Sequence, residues 1–196
     1  MRTISLDAST THIGWSVWDD DELVDYGLLT PTVKNLEYRE RVENFIPQII
    51  ALIKQFRPNK AIQEEVPKVV HKEVPKVVHK GRGNGAGAIL TAIRLGVVQG
   101  MSLTLFTAFH IPIEFKEVGT WRHDIGIADG NKDRDDKKIR SIELANKLFD
   151  LDLPIVYTKG GNFKETGSDD MSDSILLYAS TREKYRKKTK RREVKR

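Results

Sequence analysis

The sequence contains no cysteine. This absence excludes a disulfide framework and a zinc site built from thiolates, and it is consistent with a reducing cytoplasm. The sequence also lacks an apolar run that approaches membrane-spanning length, and its first residues lead directly into a strand-like segment without a signal-peptide pattern. From these absences we expect a cytoplasmic protein that does not enter a membrane.

The excess of basic residues is confined to the C-terminal end. Residues 182–196 contain ten Lys and Arg against two Glu, a net charge of +8, whereas residues 1–181 carry a net charge of −3. A dense basic tail is typical of a poorly ordered segment attracted to phosphate backbones, and a terminus that serves only solubility is the alternative. Since the length suits one core, we predict a single domain over 1–181 and a poorly ordered tail over 182–196.

An aspartate follows the first apolar segment of the chain. Residues 3–6 and 14–18 have the pattern of two short strands, and Asp7 lies in the Ser/Thr-rich turn between them. A carboxylate at the end of an apolar strand is costly to bury unless a metal ion or a donor-rich ligand meets it. Asp7 is therefore a candidate functional residue. Hydrogen bonds from the hydroxyl groups of residues 9–11 in an Asx-type turn are the alternative explanation.

Two glutamates end a later apolar segment. Residues 60–66 predict a strand that finishes with Glu64 and Glu65. Successive strand residues point to opposite faces of a sheet, so only one of the two can face Asp7, and alternation alone leaves open which one. Solvation of both glutamates at a strand end is the alternative.

A pair of aspartates opens the last apolar segment. Asp170 and Asp173 are three residues apart and share one face of a predicted helix, with Ser168 or Asp169 as its N-cap. Acidic residues also favour a first helical turn because of the helix dipole, which would account for the residues at 169 and 170 without any function.

The hydrophobic pattern predicts an alternation of strands and helices. In residues 35–56 the apolar side chains recur every three or four positions, which is typical of an amphipathic helix, and Pro47 should kink it. The segment 88–110 is apolar almost all round, which predicts a helix buried on several sides. The other predicted elements are strands over 22–29, 60–66 and 111–118, which follow the first two strands, and a helix over 137–149.

These motifs carry a family resemblance. The pattern Leu6-Asp7-x-Ser9-x-x-x-x-Gly14-Trp15 resembles the first motif of RuvC-type Holliday junction resolvases, which belong to the ribonuclease H-like superfamily. The family also has a glutamate at the end of a later strand and a final Asp-x-x-Asp before a small, apolar helix, and the chain is similar at both places. Sugar kinases and Hsp70-like ATPases also have an aspartate after their first strand, but a glycine follows it directly, whereas Ala8 follows Asp7 here. These proteins have two lobes, which need a longer chain, so the sequence does not fit them.

The resemblance, which covers residues 1–181, implies a fold and a site. The fold would be an α/β ribonuclease H-like mixed sheet, a three-stranded antiparallel meander extended by parallel strands, with helices on both faces. The implied catalytic residues and metal ligands are Asp7, Glu64, Asp170 and Asp173. Glu64 follows from aligning the family pattern on Val66, whereas alignment on Ile62 would give Gln63 or Glu65 instead. Four carboxylates without a His/Cys cluster suit hard ions, Mg²⁺ or Mn²⁺, and two such ions could activate a water and stabilise the leaving oxygen of a phosphodiester.

The resemblance also implies partners. Branched DNA, in particular the four-way junction, would be the substrate, and a homodimer formed through the 88–110 helix would present two sites to two strands. Packing within a monomer is the competing explanation for that helix. A Thr120-Trp121-Arg122 segment is similar to one in phage members of the family, which points to a bacteriophage origin.

Basic residues near the predicted site are candidates for DNA contact. The octapeptide of residues 65–72 is repeated without change as 73–80, so residues 65–87 form a duplicated basic flap; a disordered insertion is the alternative. Arg122 belongs to a basic-aromatic cluster, although Trp121 beside it is more simply a core residue. The candidate DNA-binding residues are Lys68, Lys72, Lys76, Lys80, Arg82, Arg122, Lys137 and Lys138, for which surface solvation is the alternative.

The sequence therefore predicts a metal-dependent endonuclease that resolves Holliday junctions and other branched DNA by paired phosphodiester hydrolysis. A catalytically silent protein that binds branched DNA is an alternative from a different class, and ribonuclease H activity on RNA–DNA hybrids is a second enzymatic one.

Overall fold

The computed structural model describes residues 1–66, 85–128 and 134–186. The predicted flap, including Lys68, Lys72, Lys76, Lys80 and Arg82, lies largely outside the described residues. The strands are β1 Arg2–Ala8, β2 Ile13–Asp19, β3 Glu22–Leu29, β4 Lys60–Glu65 and β5 Ile113–Glu117. The helices are α1 Tyr38–Phe56, α2 Gly85–Ala108, α3 Val118–Ile125, α4 Arg134–Phe149 and α5 Ser168–Ala179, with a 3₁₀ turn at Glu183–Tyr185.

The described strands form one mixed sheet in the order β3-β2-β1-β4-β5. The first three strands pair antiparallel through short turns, and β4 and β5 add on the other side of β1 in parallel orientation. This arrangement confirms the predicted meander extended by parallel strands. It also makes β1 the central strand, with β4 directly beside it.

Strand alternation divides the core between the two faces of the sheet. Ile4 and Leu6 of β1 pack with α1 and the end of α2, in a cluster that includes Phe45, Ile49 and Phe106. On the opposite face Trp18 and Ile62 pack with α3, α4 and α5. Helices therefore cover both faces, as predicted, and polar residues of β1 such as Ser5 face the α5 side.

Helix α1 begins later than the pattern predicts. Asn35 has a φ of 60°, which is outside the helical range. A capping box sets the start, because the Glu37 amide donates a 2.7 Å hydrogen bond to the Glu40 side chain and the Glu37 side chain accepts from the Glu40 amide. Pro47 lies inside the helix.

Helix α2 is much less buried than its sequence predicts. Val98, Ser102 and Phe106, spaced by four, are fully buried on one side. The other sides expose apolar side chains, including Ile93 at 59% of its maximal area. Packing within a monomer, the competing explanation for this helix, therefore does not account for its apolar residues, because the sheet and α1 cover only one side of it. The exposed apolar residues, here called the α2 apolar face, are Ile89, Leu90, Ile93, Val97 and Leu103.

Among the residues that the structure describes, one helix is also long and apolar enough to cross a membrane by length and composition. It covers Ile89–Ala108, and only 17% of its most hydrophobic 18-residue stretch is buried. The expectation that no apolar run approaches this length is wrong, because Arg94 interrupts the run without lowering its mean hydropathy enough. Core helices of soluble proteins can have the same length and apolar composition.

Three further details differ from the sequence prediction. The segment after β5 is the helix α3, which ends at Gly126 with a φ of 84°. Helix α4 begins at Arg134, and residues 129–133 lie outside the described residues. The N-cap of α5 is Gly167, with a φ of 86°, and neither Ser168 nor Asp169 takes that position, since both are inside the helix.

The two ends of the described chain meet at the β2–β3 turn. The Met1 amino group lies 2.9 Å from an Asp20 carboxylate oxygen, and Arg182 forms an ion pair with Asp21. The ring of Tyr185 packs against Phe149 at a centroid distance of 5.0 Å. Residues 182–186 are therefore part of the folded domain, contrary to the prediction of a poorly ordered tail from 182, and 187–196 lie outside the described residues.

Candidate active site

Two of the predicted acids lie side by side at the carboxyl ends of adjacent parallel strands. Leu6 of β1 is in register with Gln63 of β4, and Asp7 and Glu64 follow these partners directly. Ile62, two residues before Glu64, packs in the core on the α5 side, so Glu64 points to that side as well. Glu65 points to the opposite side of the sheet. The pairing register thus places Glu64, rather than Glu65, on the face it shares with Asp7.

The other two acids reach the same place because α5 begins directly over β2. Gly14 is the antiparallel partner of Asp7, and a Cβ on Gly14 would lie 2.0 Å from the backbone oxygen of Asp170. Only a glycine permits this approach of helix and strand. The Ser16 hydroxyl donates a 3.0 Å hydrogen bond to the Ser174 carbonyl oxygen farther along the same two elements. The start of α5, with Asp170 and Asp173, is therefore held against the end of β1.

The carboxylates are close enough to oppose each other's ionisation. Burial and the negative charges of Glu64, Asp173 and Asp170 raise the pKa of Asp7 well above its usual range. Burial and the Asp173 charge likewise raise the pKa of Glu64 to about 7. Four acids from three elements therefore form one electrostatic unit, called here the acidic cluster: Asp7, Glu64, Asp170 and Asp173.

The two helical acids have different surroundings. Burial and the Asp169 charge raise the pKa of Asp170 to about 7. Burial also raises the pKa of Asp173, against the opposing effect of the Arg122 guanidinium. A cluster with such raised pKa values is under-neutralised by its own protein groups, which is typical of sites that receive protons or cations.

Helix α3 supplies direct partners to two members of the cluster. The buried indole Nε1 of Trp121 donates a 2.9 Å hydrogen bond to Glu64 Oε2. Arg122 Nη2 donates a 2.5 Å hydrogen bond to Asp173 Oδ2. Adjacent residues of one helix thus hold a carboxylate of β4 and a carboxylate of α5.

The remaining described candidates for DNA contact lie on α4 near the start of α5. Lys138 Nζ donates to Glu165 Oε1 at 2.5 Å and to Asp169 Oδ2 at 2.6 Å, so this lysine ties α4 to α5. Lys137 is half-buried on the same helix. Arg122 is engaged with Asp173, as described above. Their predicted contact with DNA remains a prediction.

Several residues of the site carry no signal in the sequence. Trp121 is fully buried, as expected of a core residue, but its hydrogen bond to Glu64 has no sequence signal. Asp169 is also buried, with Lys138 as its partner. His12 in the β1–β2 turn has Nδ1 3.8 Å from Asp170 Oδ2. None of these contacts follows from spacing, because each joins residues from separate elements.

The acidic cluster has the donor chemistry for a hard divalent cation. All four side chains offer carboxylate oxygens. Asp173 Oδ1 is buried and forms no hydrogen bond of ordinary geometry in the described part of the chain, and the nearby Ser141 hydroxyl acts to lower the pKa of Asp173. Within residues 1–66, 85–128 and 134–186, no three acidic or histidine side chains already stand in a metal-ligating arrangement. The site therefore fits the ion in chemistry and needs side-chain adjustment to hold it.

The architecture defined by this sheet and its helices is the ribonuclease H-like α/β fold, as predicted, and solved structures with a similar fold include RuvC-type resolvases. Thermus thermophilus RuvC in complex with a Holliday junction substrate has a TM-score of 0.57 and 15% identity, covering 95% of this chain and 98% of that one. A second T. thermophilus RuvC structure gives 0.57 and 14%, covering 95% and 99%. The yeast mitochondrial Holliday junction resolvase gives 0.54 and 14%, covering 91% and 76%.

Comparison by sequence adds no closer relationship. No protein-family model matches the sequence, and no curated protein matches it. At 14–15% identity, similarity to the solved structures establishes the fold alone. Function must therefore be argued from the site.

Proposed function

We propose that the protein is a metal-dependent endonuclease that cleaves Holliday junctions and similar branched DNA by paired phosphodiester hydrolysis. The observation that carries the proposal is the acidic cluster, four carboxylates from β1, β4 and α5 that lie at the carboxyl ends of the two central parallel strands of a ribonuclease H-like sheet. An uncompensated group of acids in this position is suited to cations that neutralise a reacting phosphate.

The acidic cluster would hold Mg²⁺ or Mn²⁺, with two ions at each site. Asp7, Glu64, Asp170 and Asp173 would hold these ions, since the negative charges of the other three acids all act on Asp7. The bound ions would supply the positive charge that stabilises a phosphodiester under attack. The protein's own contribution is to keep four carboxylates close together despite their repulsion, through the Gly14 contact and the hydrogen bonds from α3.

Basic residues around the cluster would bind the DNA backbone. We propose this role for Arg122, Lys137 and Lys138, and for the lysines and Arg82 of the flap. Such contacts act on any phosphate backbone, so they provide affinity and position rather than sequence preference.

A homodimer would explain the α2 apolar face. Contiguous exposed apolar residues on a helix mark an interaction site more often than a solvated surface. Pairing of this face with the same face of a second copy would remove these side chains from water and form an isologous interface. The dimer would carry two acidic clusters, one for each of the two strands that must be cut to resolve a junction.

The decisive experiment is cleavage of a labelled four-way DNA junction by the wild type and by Asp7→Asn. Parallel reactions contain Mg²⁺, Mn²⁺ or a chelator, and linear duplex and RNA–DNA hybrid serve as control substrates. We expect paired nicks with either metal, none with the chelator, and none with Asp7→Asn, which should still bind the junction.

The same experiment separates the alternatives. Junction binding without cleavage in any metal would indicate the catalytically silent binder. Cleavage restricted to the RNA strand of the hybrid would indicate ribonuclease H activity. Asp7→Asn with wild-type cleavage would contradict the assignment of the acidic cluster as the active site.

A further inference from the structure

The acidic cluster already contains one cation of its own. The Arg122 guanidinium is 2.5 Å from Asp173 Oδ2, and its positive charge also acts on Glu64 and Asp7. The side chains of Arg122 and Asp173 are 21% and 8% exposed, so the pair is largely shielded from water. In such surroundings a charge pair interacts more strongly than at the surface, and losing one partner leaves the other uncompensated.

This ion pair involves a carboxylate that a metal ion would need. Asp173 offers two carboxylate oxygens, of which Oδ2 accepts from Arg122, while Oδ1 is buried and is the oxygen left for a metal ion. A divalent ion bound at either oxygen would lie within a few ångströms of the guanidinium, and like charges at that distance repel strongly. The two cations are therefore competitors for one carboxylate.

We propose that Arg122 is an exchangeable counter-cation: it neutralises Asp173 when no divalent ion is bound and leaves this carboxylate when one binds. Arg122 is then a positioning residue that sets the affinity of the site for metal. The inference rests on the proposed function in one respect, since it takes the acidic cluster as the metal site.

The structure provides a route for the exchange. Trp121 is fully buried and fixed to Glu64, so the backbone of α3 can stay in place while only the Arg122 side chain turns. The guanidinium lies 5.0 Å from the centre of the Trp121 ring, and part of the side chain is in contact with solvent. Once released from Asp173, the planar guanidinium of Arg122 could donate hydrogen bonds to a phosphate group of the DNA. Metal and DNA would then each take one member of the ion pair, so each would favour binding of the other.

The test measures Mn²⁺ affinity of the full chain without DNA, by the electron paramagnetic resonance signal of free Mn²⁺. The variants are Arg122→Gln, Arg122→Lys, Asp173→Asn and the double variant Arg122→Gln/Asp173→Asn. Arg39→Gln is the matched control, because Arg39 is 87% exposed and paired only at the surface with Glu43 among the described residues.

We expect Arg122→Gln to bind Mn²⁺ about five- to tenfold more tightly than wild type, within the usual range of coupling between two ligands. Arg122→Lys, which keeps a cation, should stay near wild type, and Arg39→Gln should not change. In the Asp173→Asn background the Arg122→Gln change should have no effect, because the contested carboxylate is gone. Equal or weaker Mn²⁺ binding by folded Arg122→Gln would overturn the proposal, as would an undiminished effect in the Asp173→Asn background.

A measurement on the wild type covers the case in which Arg122→Gln does not fold. The Arg122 Nε–H resonance should shift as Mg²⁺ is added while the Arg39 resonance stays constant, and an Arg122 resonance that does not respond overturns the proposal. Junction cleavage is scored separately. If Arg122→Gln binds Mn²⁺ more tightly but the protein cleaves no DNA, the result supports Arg122 as an exchangeable counter-cation and contradicts only the proposed nuclease activity. Failure of both wild type and Arg122→Gln to bind Mn²⁺ overturns the counter-cation.

Discussion

The indole nitrogen of Trp121 donates a 2.9 Å hydrogen bond to Glu64 Oε2. This bond favours the ionised carboxylate, whereas burial and the charge of Asp173 raise its pKa to about 7. A side chain of the hydrophobic core thereby helps to keep a residue of the acidic cluster ionised, against the larger effect of burial.

Trp121→Phe removes this donor while keeping an aromatic ring in the core. The pKa of Glu64 should rise further, so a larger fraction is protonated at neutral pH and the acid limb of the cleavage profile should move to higher pH. We expect a shift of about one pH unit, since a hydrogen bond to a charged group contributes roughly 1.5 kcal/mol and one pKa unit corresponds to about 1.4 kcal/mol. Rates of junction cleavage between pH 5 and 9 measure it. Trp15→Phe is the control, because Trp15 lies on the opposite face of the sheet; this variant should leave the acid limb of the pH profile unchanged.

Glu64→Gln and Glu65→Gln form a matched pair at adjacent positions on opposite faces of β4. We expect Glu64→Gln to lower the cleavage rate by on the order of a hundredfold or more, because the amide cannot replace the negative charge in the cluster. Glu65→Gln should cleave within about threefold of wild type, a change too small to indicate a role in the chemistry. Single-turnover rates on a junction substrate give the comparison. A larger loss of cleavage rate in Glu65→Gln than in Glu64→Gln would indicate that Glu65, and not Glu64, is the metal ligand.

Gly14→Ala should disrupt the site through the backbone. Its Cβ would lie 2.0 Å from the Asp170 backbone oxygen, so α5 must move away from β2. We expect a loss of about 3 kcal/mol in the free energy of unfolding, together with loss of cleavage. Denaturant titration measures the stability.

The control for that change is Gly96→Ala on α2. At Gly96 a Cβ meets no atom of the described chain within 4 Å, and alanine favours a helix by up to about 1 kcal/mol. This variant should be at least as stable as wild type. Equal stability of Gly14→Ala and Gly96→Ala would refute the close approach of α5 to β2.

Ile93→Glu tests the α2 apolar face. A charge at this position, 59% exposed in the single chain, would be buried in a dimer, so the dissociation constant should rise by at least about tenfold. Sedimentation at several protein concentrations measures it. Val24→Glu on β3, where Val24 is 44% exposed, is the control and should leave self-association unchanged. A wild type that stays monomeric at high concentration would remove the homodimer from the proposal.

The sheet and the placement of Glu64 and Glu65 on opposite faces were accessible from the sequence because both depend on local periodicity. The apolar pattern also predicts the strand that carries Asp7, although β1 continues through Asp7 to Ala8, so Asp7 lies in the strand and not in the turn that follows it. The cap of α5 at Gly167 was not accessible, since it depends on a positive φ and on the approach of Leu28.

The covering of α2 shows a different limit of sequence reasoning. An apolar pattern predicts that side chains are buried, but it does not indicate whether their own chain or another molecule buries them. The ion pair between Arg122 and Asp173 was equally hidden, because it joins α3 to α5 across 51 residues of sequence.

The β2–β3 turn that binds Met1 and Arg182 has a consequence for engineering. Both ends of the folded domain lie at the pole of the sheet where β1 starts, and Asp7 is five residues away along this strand, on the order of 17 Å at strand rise. A fluorescent label, an affinity handle or a fused domain attached at Met1 would thus be remote from the carboxylates. A short linker could also join the two ends in a circular permutant whose new termini open elsewhere.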